Sequence, residues 1–269
     1  MTLSIIIVNY KTKGLVKQCL KNILALDLNL VYEILVIDNN SEDKIEAMLK
    51  NKFTDELETQ KIKFFQAGEN KGMGAGNNYG LKRASGKYIL VLNPDVVIFS
   101  QTIPNLINFI SSHEEAGLVA PKLLYPNRSN QQSRYLFPKF HLPLFIRTGL
   151  NKITQKTLNA YTLANKPDDK PHTVDWVRGS AFLSTRDFLL ELEGFDERFF
   201  MYMEDIDLCR RVKLANKQVW YVPDSQAIHY YSRDSKTNSW LRDLTRKMAW
   251  VHIISWLKYF WKWRLVEEN

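Results

Sequence analysis

Cysteine is scarce: the 269 residues hold two, Cys19 and Cys209. Both fall in amphipathic helical patterns, which suits buried free thiols rather than a disulfide and gives an expectation of a cytoplasmic protein. Long apolar runs are missing too. None reaches the roughly 18 residues that would cross a bilayer. The early run Ile5–Val8 is too short, and lacks the basic flank, for a signal peptide. No Gly-Lys-Ser/Thr follows a glycine-rich loop, so there is no P-loop, and no G-x-G-x-x-G can be drawn, because Asn77 stands where Gly72-x-Gly74 needs its third glycine. Neither a Ser-His-Asp nor a Cys-His set is evident, nor a nucleic-acid-binding motif.

What is present suits one large α/β domain. Hydrophobic residues make up 45% of the chain and the mean hydropathy is −0.30, enough for a substantial core. The formal net charge is +8, which calls for an anionic partner such as a nucleotide, a phosphate-bearing acceptor or a lipid surface. The excess is uneven: Lys236 to Val266 carries seven Lys or Arg against one acid, Asp243.

Apolar, β-branched Leu3–Val8 reads as a buried parallel strand ending in Asn9-Tyr10. Helical spacing of Leu15, Val16, Cys19, Leu20, Ile23 and Leu24 follows. Ile34–Ile37 is a second buried strand, ending in Asp38-Asn39-Asn40-Ser41, with Ser41 the expected N-cap of a helix through Ile45, Met48 and Leu49. Lys61–Gln66 reads as a third strand. A Gly- and Asn-rich loop, Gly68 to Gly80, then leads into a short helix through Leu81 and Ala84. Tyr88–Leu92 is a fourth strand, ending in Asn93-Pro94-Asp95. A helix is expected from Gln101 to Ser111 and a strand over Gly117–Ala120. Alternating strands and helices imply a mostly parallel, helix-covered sheet. Ligands bind such sheets at the carboxyl ends of the strands, where the polar residues gather: Asn9 and Tyr10, Asp38 and Asn40, Asn70, then Asn93 and Asp95. One polar strand end is a turn; four in succession outline a pocket rim.

From Lys122 to His172, periodicity weakens and prolines punctuate the chain, so an insert of loops and short helices over the pocket is expected. Its Arg128, Arg134 and Arg147 read either as contacts for an anion or as solvated charges, the solvated reading being preferred for each alone. Order returns at Thr173–Trp176, followed by Val177-Arg178-Gly179-Ser180, a strand at Ala181–Ser184 and a helix over Arg186–Glu193, stopped by Gly194. Phe199-Phe200-Met201-Tyr202-Met203 then precedes Glu204-Asp205-Ile206-Asp207, three carboxylates in four positions. If a helix starts there, all three sit in its first turn, where the amide dipoles favour negative charge; an acid-rich self-capping start is the bland alternative. Val219–Val222 is one more strand, and His229 follows Pro223 and Asp224. After Asn238, five of the seven Trp interleave with Lys and Arg, and Leu244, Met248, Val251, Ile254 and Leu257 recur at helical spacing. That segment, 238–266, suits a membrane interface, or a helix docked on the domain or on a second subunit of a homodimer.

Taken in order, Ser4–Tyr10, Val36–Ser41, Asn70-x-Gly72-x-x-Ala75-Gly76 with Asn77, Asn78 and Gly80, Leu92–Asp95, Gly179, Gly194–Phe200, Glu204-Asp205-x-Asp207 and His229 resemble the family 2 glycosyltransferases, and within them the rhamnosyltransferase-like branch. The resemblance covers about residues 3–235. It implies a GT-A fold, with a catalytic domain over 1–235 (a nucleotide-sugar half to 121, an acceptor half from 122) and a separate basic segment over 236–269. It implies inversion at the sugar carbon, with Mg2+ or Mn2+ bridging the donor diphosphate. Carried over, Asn9, Tyr10, Asp38, Asn40, Asn70, Gly72, Gly76, Asn77 and Asn93 would hold the donor. Asp95 would be the main metal ligand, where the family's first Asp is Asn93 here, and His229 the second. Trp176, Arg178 and Gly179 would shape the acceptor side. Asp205 would be the general base, with Glu204 and Asp207 supporting it. The donor implied is dTDP-rhamnose, with UDP-hexoses using the same architecture, and the acceptor a saccharide or lipid-linked saccharide at the inner face of the membrane. A sugar-1-phosphate nucleotidyltransferase would want a basic Gly-rich loop near the first strand, where Asn9–Gly14 has one glycine. A non-catalytic binding protein would not need Asp95, Asp205 and His229 together.

Overall fold

The computed structural model describes residues 1–140, 151–230 and 247–265. Arg147 lies outside them, as does the part of the expected basic segment before residue 247. The first half alternates as β1 (Leu3–Asn9), α1 (Lys13–Leu24), β2 (Tyr32–Asp38), α2 (Ile45–Lys52), α3 (Thr54–Glu58), β3 (Ile62–Gln66), α4 (Met73–Leu81), β4 (Tyr88–Leu92), β5 (Val96–Ile98), α5 (Thr102–Ser112) and β6 (Ala116–Leu124). The second half holds β7 (Arg134–Tyr135), α6 (Asn151–Tyr161), β8 (His172–Val174), β9 (Trp176–Val177), β10 (Ala181–Thr185), α7 (Arg186–Glu191), α8 (Glu204–Leu214), β11 (Gln218–His229) and α9 (Lys247–Trp263).

Among the described residues the main sheet runs β3-β2-β1-β4-β10-β6-β11-β5, with β8 paired to β11. Strands β3, β2, β1 and β4 are mutually parallel. Strand β10 enters antiparallel between β4 and β6, and β11 is parallel to β6 but antiparallel to β5 and β8. The sheet is thus parallel in its first half and mixed beyond β4. This arrangement sends the carboxyl ends of β1, β2, β3, β4, β6 and β11 to one edge. Asn9 and Asp38 pair directly there, and the amino end of β10 joins them.

Every residue of β1 is buried. Alternation along it feeds two cores, one on each face. Leu3, Ile5 and Ile7 meet α1, α2 and α5 through Val16, Leu20, Leu49, Ile103 and Leu106. Ile6 and Val8 meet the other layer, built from α4, α7, α8 and α9. Pairing of β7 with β9 forms a small separate sheet on that second face.

Three local expectations are corrected. Ser41 caps no helix: Asn40, Glu42 and Lys44 adopt left-handed backbone, which delays α2 to Ile45, whose N–H goes to Asp43 Oδ1 at 3.1 Å. The Gly-rich stretch is a helix from Met73, not a loop. Its glycines thin one face so that α4 lies directly on the sheet; a Cβ on Gly80 would stand 2.7 Å from Ile6 Cγ2. Finally, β11 does not end at Val222. It passes an irregularity between Val222 and Gln226, where Pro223 cannot donate to the ladder, and carries on to His229.

Candidate active site

At the paired ends of β1 and β2 the polar side chains satisfy one another. Asn9, fully buried, donates from Nδ2 to Asp38 Oδ1 at 2.8 Å and Ser41 Oγ at 2.7 Å. Its Oδ1 accepts from the Thr12 N–H and hydroxyl. Asp43, which sequence reading passed over, completes this knot by accepting the Lys13 N–H at 3.0 Å. Asp38 is held rigid and buried, whereas Asn40 and Tyr10 are exposed. Asn39 was also missed. Its Nδ2 donates to the Gly72 carbonyl at 2.8 Å and to Asn70 Oδ1 at 3.3 Å, tying β2 to the start of α4. Asn77 turns back to its own helix at Met73 O, and Gly76 is buried, so neither is on the open rim. Asn78 is the more telling neighbour. It exchanges two hydrogen bonds with the backbone of Phe195, 2.7 and 2.8 Å, and so fixes the approach to the acidic motif.

At the end of β4, the Asn93 N–H donates to the Ser180 carbonyl at 2.8 Å, which joins this strand end to the Gly179–Ser180 turn before β10. Two residues on, Asp95 Oδ2 lies 3.3 Å from His229 Nε2, while Asp95 Oδ1 is buried without a hydrogen-bond partner. The other ring nitrogen, Nδ1, lies 2.7 Å from Gln131 Oε1, and Gln131 Nε2 faces the His229 carbonyl at 3.4 Å. With its amide oxygen on the ring, Gln131 accepts, so Nδ1 carries a proton and Nε2 is the nitrogen turned to the carboxylate. An orphaned carboxylate oxygen beside an imidazole nitrogen is a pair of side chains of the type that holds a divalent cation. Among the described residues no group of three or more His, Cys, Asp or Glu converges. Two protein ligands agree with a cation that takes its remaining oxygens from a diphosphate. Gln131, buried at 2% exposure, lies in the expected loop insert, in a stretch without periodicity, so no pattern marked it. Arg134 of the same stretch is not solvated. It is buried, paired with Asp168 and laid over the Tyr221 ring.

The three acids do occupy the first turn of α8. The chain reaches them through a tight turn in which Tyr202 and Met203 have φ of 67° and 69°, a conformation side chains seldom adopt. The turn is clasped by α4. The Met73 N–H donates to the Phe200 carbonyl at 3.1 Å, and a Cβ on Gly72, whose φ is +103°, would stand 2.0 Å from that oxygen. No residue but glycine fits there.

Within the turn the acids part company. Asp205 Oδ2 accepts the Gly179 N–H at 3.0 Å and Oδ1 the Ile206 N–H at 2.9 Å. Burial raises its pKa against the opposing pull of those bonds and of Arg178. Glu204 is raised too, first by burial and then by the charge of Asp205, and its Oε2 is buried without a hydrogen bond. Asp207 faces away. Fully buried, it pairs with Arg211 at 2.8 Å and Lys262 at 2.6 Å and accepts from Trp263 Nε1 at 2.9 Å.

On the expected acceptor side, Gly179 touches Asp205, and Arg178 reaches the Tyr135 hydroxyl at 3.0 Å and the Gln132 carbonyl at 3.2 Å. Trp176 is packed rather than presented. It stacks on Tyr135 with ring centroids 4.3 Å apart and gives its indole N–H to Leu136 O at 2.8 Å.

Comparison with known proteins places this geometry. The model of "Glycosyl transferase family 2" matches residues 4–172. Rhamnosyltransferase WbbL of Escherichia coli (strain K12) is 29% identical across 98% of the chain and 95% of its own length. N-acetylglucosaminyl-diphospho-decaprenol L-rhamnosyltransferase of Mycobacterium tuberculosis (strain CDC 1551 / Oshkosh) is 31% identical across 61% of the chain, and the match spans about half of that protein, 52%. Among solved structures, GalNAc-T7 with UDP, GalNAc and Mn2+ superposes with a TM-score of 0.67 at 17% identity, over 88% of the chain and 44% of its own. The fold is GT-A.

Proposed function

The chain belongs to glycosyl transferase family 2, and from that premise we propose that it is a metal-dependent, inverting rhamnosyltransferase. It would move rhamnose from dTDP-rhamnose to a hydroxyl of a saccharide or lipid-linked saccharide. The donor is favoured by the near full-length similarity to a rhamnosyltransferase, and a lipid-linked acceptor by the similarity to the mycobacterial N-acetylglucosaminyl-diphospho-decaprenol L-rhamnosyltransferase. In this reading residues 1–121 serve the nucleotide-sugar and the stretch from 122 serves the acceptor.

The observation that carries the transfer chemistry is the Asp205 carboxylate. It is half-buried, raised in pKa and aimed by two backbone N–H groups. It is joined through Gly179, Ser180 and Asn93 to the turn after β4 that bears Asp95. A carboxylate made more basic by burial takes a proton more readily near neutral pH. Asp205 thus removes the acceptor hydroxyl's proton as its oxygen attacks the sugar carbon, and no covalent intermediate on the protein is needed. Glu204, its pKa raised to about 8 by burial and by the charge of Asp205, holds a proton near neutral pH and leaves the negative charge of the pair to Asp205. Asp95 and His229 would hold the divalent cation, with Gln131 fixing the imidazole. Bound there, the cation supplies positive charge to the departing nucleoside diphosphate. Asn9, Asp38 and Asn39 hold the base-side strand ends in place. Phe199, 1% exposed, backs the acidic turn and keeps water from its inner side.

The test is a donor screen with Mn2+ followed by NMR assignment of the product's anomeric configuration. Transfer from dTDP-rhamnose with inversion is expected. Preference for a UDP-hexose would overturn the sugar, retention would overturn the single displacement, and full activity in excess chelator would overturn the metal.

A further inference from the structure

Helix α9 has two faces of opposite character. The inner face is fixed to the domain. Tyr259 and Trp263 are buried, and the Ser255 hydroxyl donates to the Met201 carbonyl at 2.8 Å. Trp256 stacks on Phe140 with centroids 4.3 Å apart, and Lys262 and Trp263 close on Asp207. The helix therefore cannot roll to hide its other side.

That other side is the reverse of an ordinary surface. Trp250, Ile254, Leu257, Trp261 and Leu265 are 49–83% exposed. The first four, spaced four, three and four apart, form one stripe along the helix, and Leu265 lies just past its end at Trp263. The remaining exposed positions between Trp250 and Leu265 are Lys258 and Arg264. No acidic residue occurs from Lys247 to Leu265, against four basic ones. A surface helix normally turns polar residues of both signs to water. This one turns large apolar side chains, two of them Trp, edged only by positive charge.

We propose that this face docks on an anionic lipid bilayer, with α9 lying in the plane of the interface. Charge decides the occupant. A second copy of the same stripe would bring like charges together, whereas a negatively charged lipid surface complements Lys258 and Arg264 while its acyl boundary takes up the stripe. Tryptophan favours that boundary, where its ring is apolar and its N–H meets headgroups. No described helix is long and apolar enough to cross a membrane, so the contact is lateral. Because α9 clamps Asp207 in the first turn of α8, docking would hold the acidic turn at a fixed height above the lipid.

The experiment is co-sedimentation of the full chain with phosphatidylcholine vesicles and with vesicles containing phosphatidylglycerol, beside light scattering of the chain alone. Wild type should pellet with the anionic vesicles, release as salt is raised, and stay in solution with the neutral ones. The double variant Trp250→Ser, Trp261→Ser should lose at least tenfold in vesicle affinity with an unchanged melting temperature. The milder variant Lys258→Gln, Arg264→Gln should weaken binding while leaving the stripe intact. Equal binding to both vesicle types, no binding to either, or a wild-type dimer that the tryptophan variant dissociates would each overturn the proposal. The readout is lipid binding, so its failure leaves the transfer reading standing, and the reverse.

Discussion

Asp205 and Asp207 stand two residues apart in one helical turn and have opposite surroundings. Asp207 is sealed in a corner where both oxygens meet cations or an indole N–H. Asp205 is half-buried beside a second carboxylate, its oxygens accept backbone N–H groups, and Arg178 is the cation that acts on it. One oxygen of its neighbour Glu204 has no partner. The lesson is that a run of acids is not one device. Period 3.6 sends Asp207 to the layer containing α9, where charge is cancelled and the helix is held. It leaves Glu204 and Asp205 at the sheet edge, where no carboxylate–cation hydrogen bond seals them and burial raises both pKa values. The Asn9–Asp38–Ser41 knot resembles the first case, closed upon itself, and Asp95 with its orphaned Oδ1 resembles the second.

That contrast can be broken or sharpened by substitution. The largest stability effect belongs to the closed corner. Asp207→Asn leaves Arg211 without its counter-charge and Lys262 with Asp196 alone, and should cost about 3 kcal/mol, lowering the melting temperature by about 6–12 °C. Turnover per folded molecule should change little. Calorimetry that finds no loss of stability would erase the distinction between the two acids. Next comes Gln131→Leu, which removes the acceptor for His229 Nδ1. Mn2+ affinity in the presence of a nucleoside diphosphate should fall about 10–100-fold, read from free Mn2+ by electron paramagnetic resonance. An unchanged titration would mean that His229 is a packing residue.

The smallest effect concerns pH. Glu204 has a folded pKa above its ordinary 4.5, so the folded state holds a proton that the unfolded state releases. Stability from this group is therefore present below pH 4.5 and is lost as pH rises above it, the reverse of a salt-bridged acid. Glu204→Gln should flatten that decline and leave the variant about 1 kcal/mol more stable than wild type at pH 8. Parallel stability–pH curves for the two proteins would contradict a buried, unpaired Glu204.

Much of this was legible in the chain. Buried strands announce themselves by β-branched runs, and Tyr88–Leu92 has the expected ends. The polar strand termini and the acidic turn stood out because such residues are costly at a buried edge unless paired or used. What stayed hidden depends on tertiary contact. Composition suggests a loop at Gly72–Gly80, and only the proximity of Ile6 and the Phe200 carbonyl explains a glycine-faced helix. Gln131 and Asn78 act through partners 98 and 117 residues away, and no local spacing reveals that. The division between Asp205 and Asp207 also rests on Lys262 and Trp263, which sequence places in a different segment.

The central claim is that Asp205 is the group that takes the acceptor's proton. Its most direct test is the turnover of Asp205→Asn with saturating dTDP-rhamnose and Mn2+, measured beside nucleotide affinity and melting temperature. A loss of about 10²–10⁴ in kcat, with nucleotide affinity kept and the fold no less stable, is the predicted result. Turnover within a few-fold of wild type would contradict it and return the acidic turn to a purely structural role.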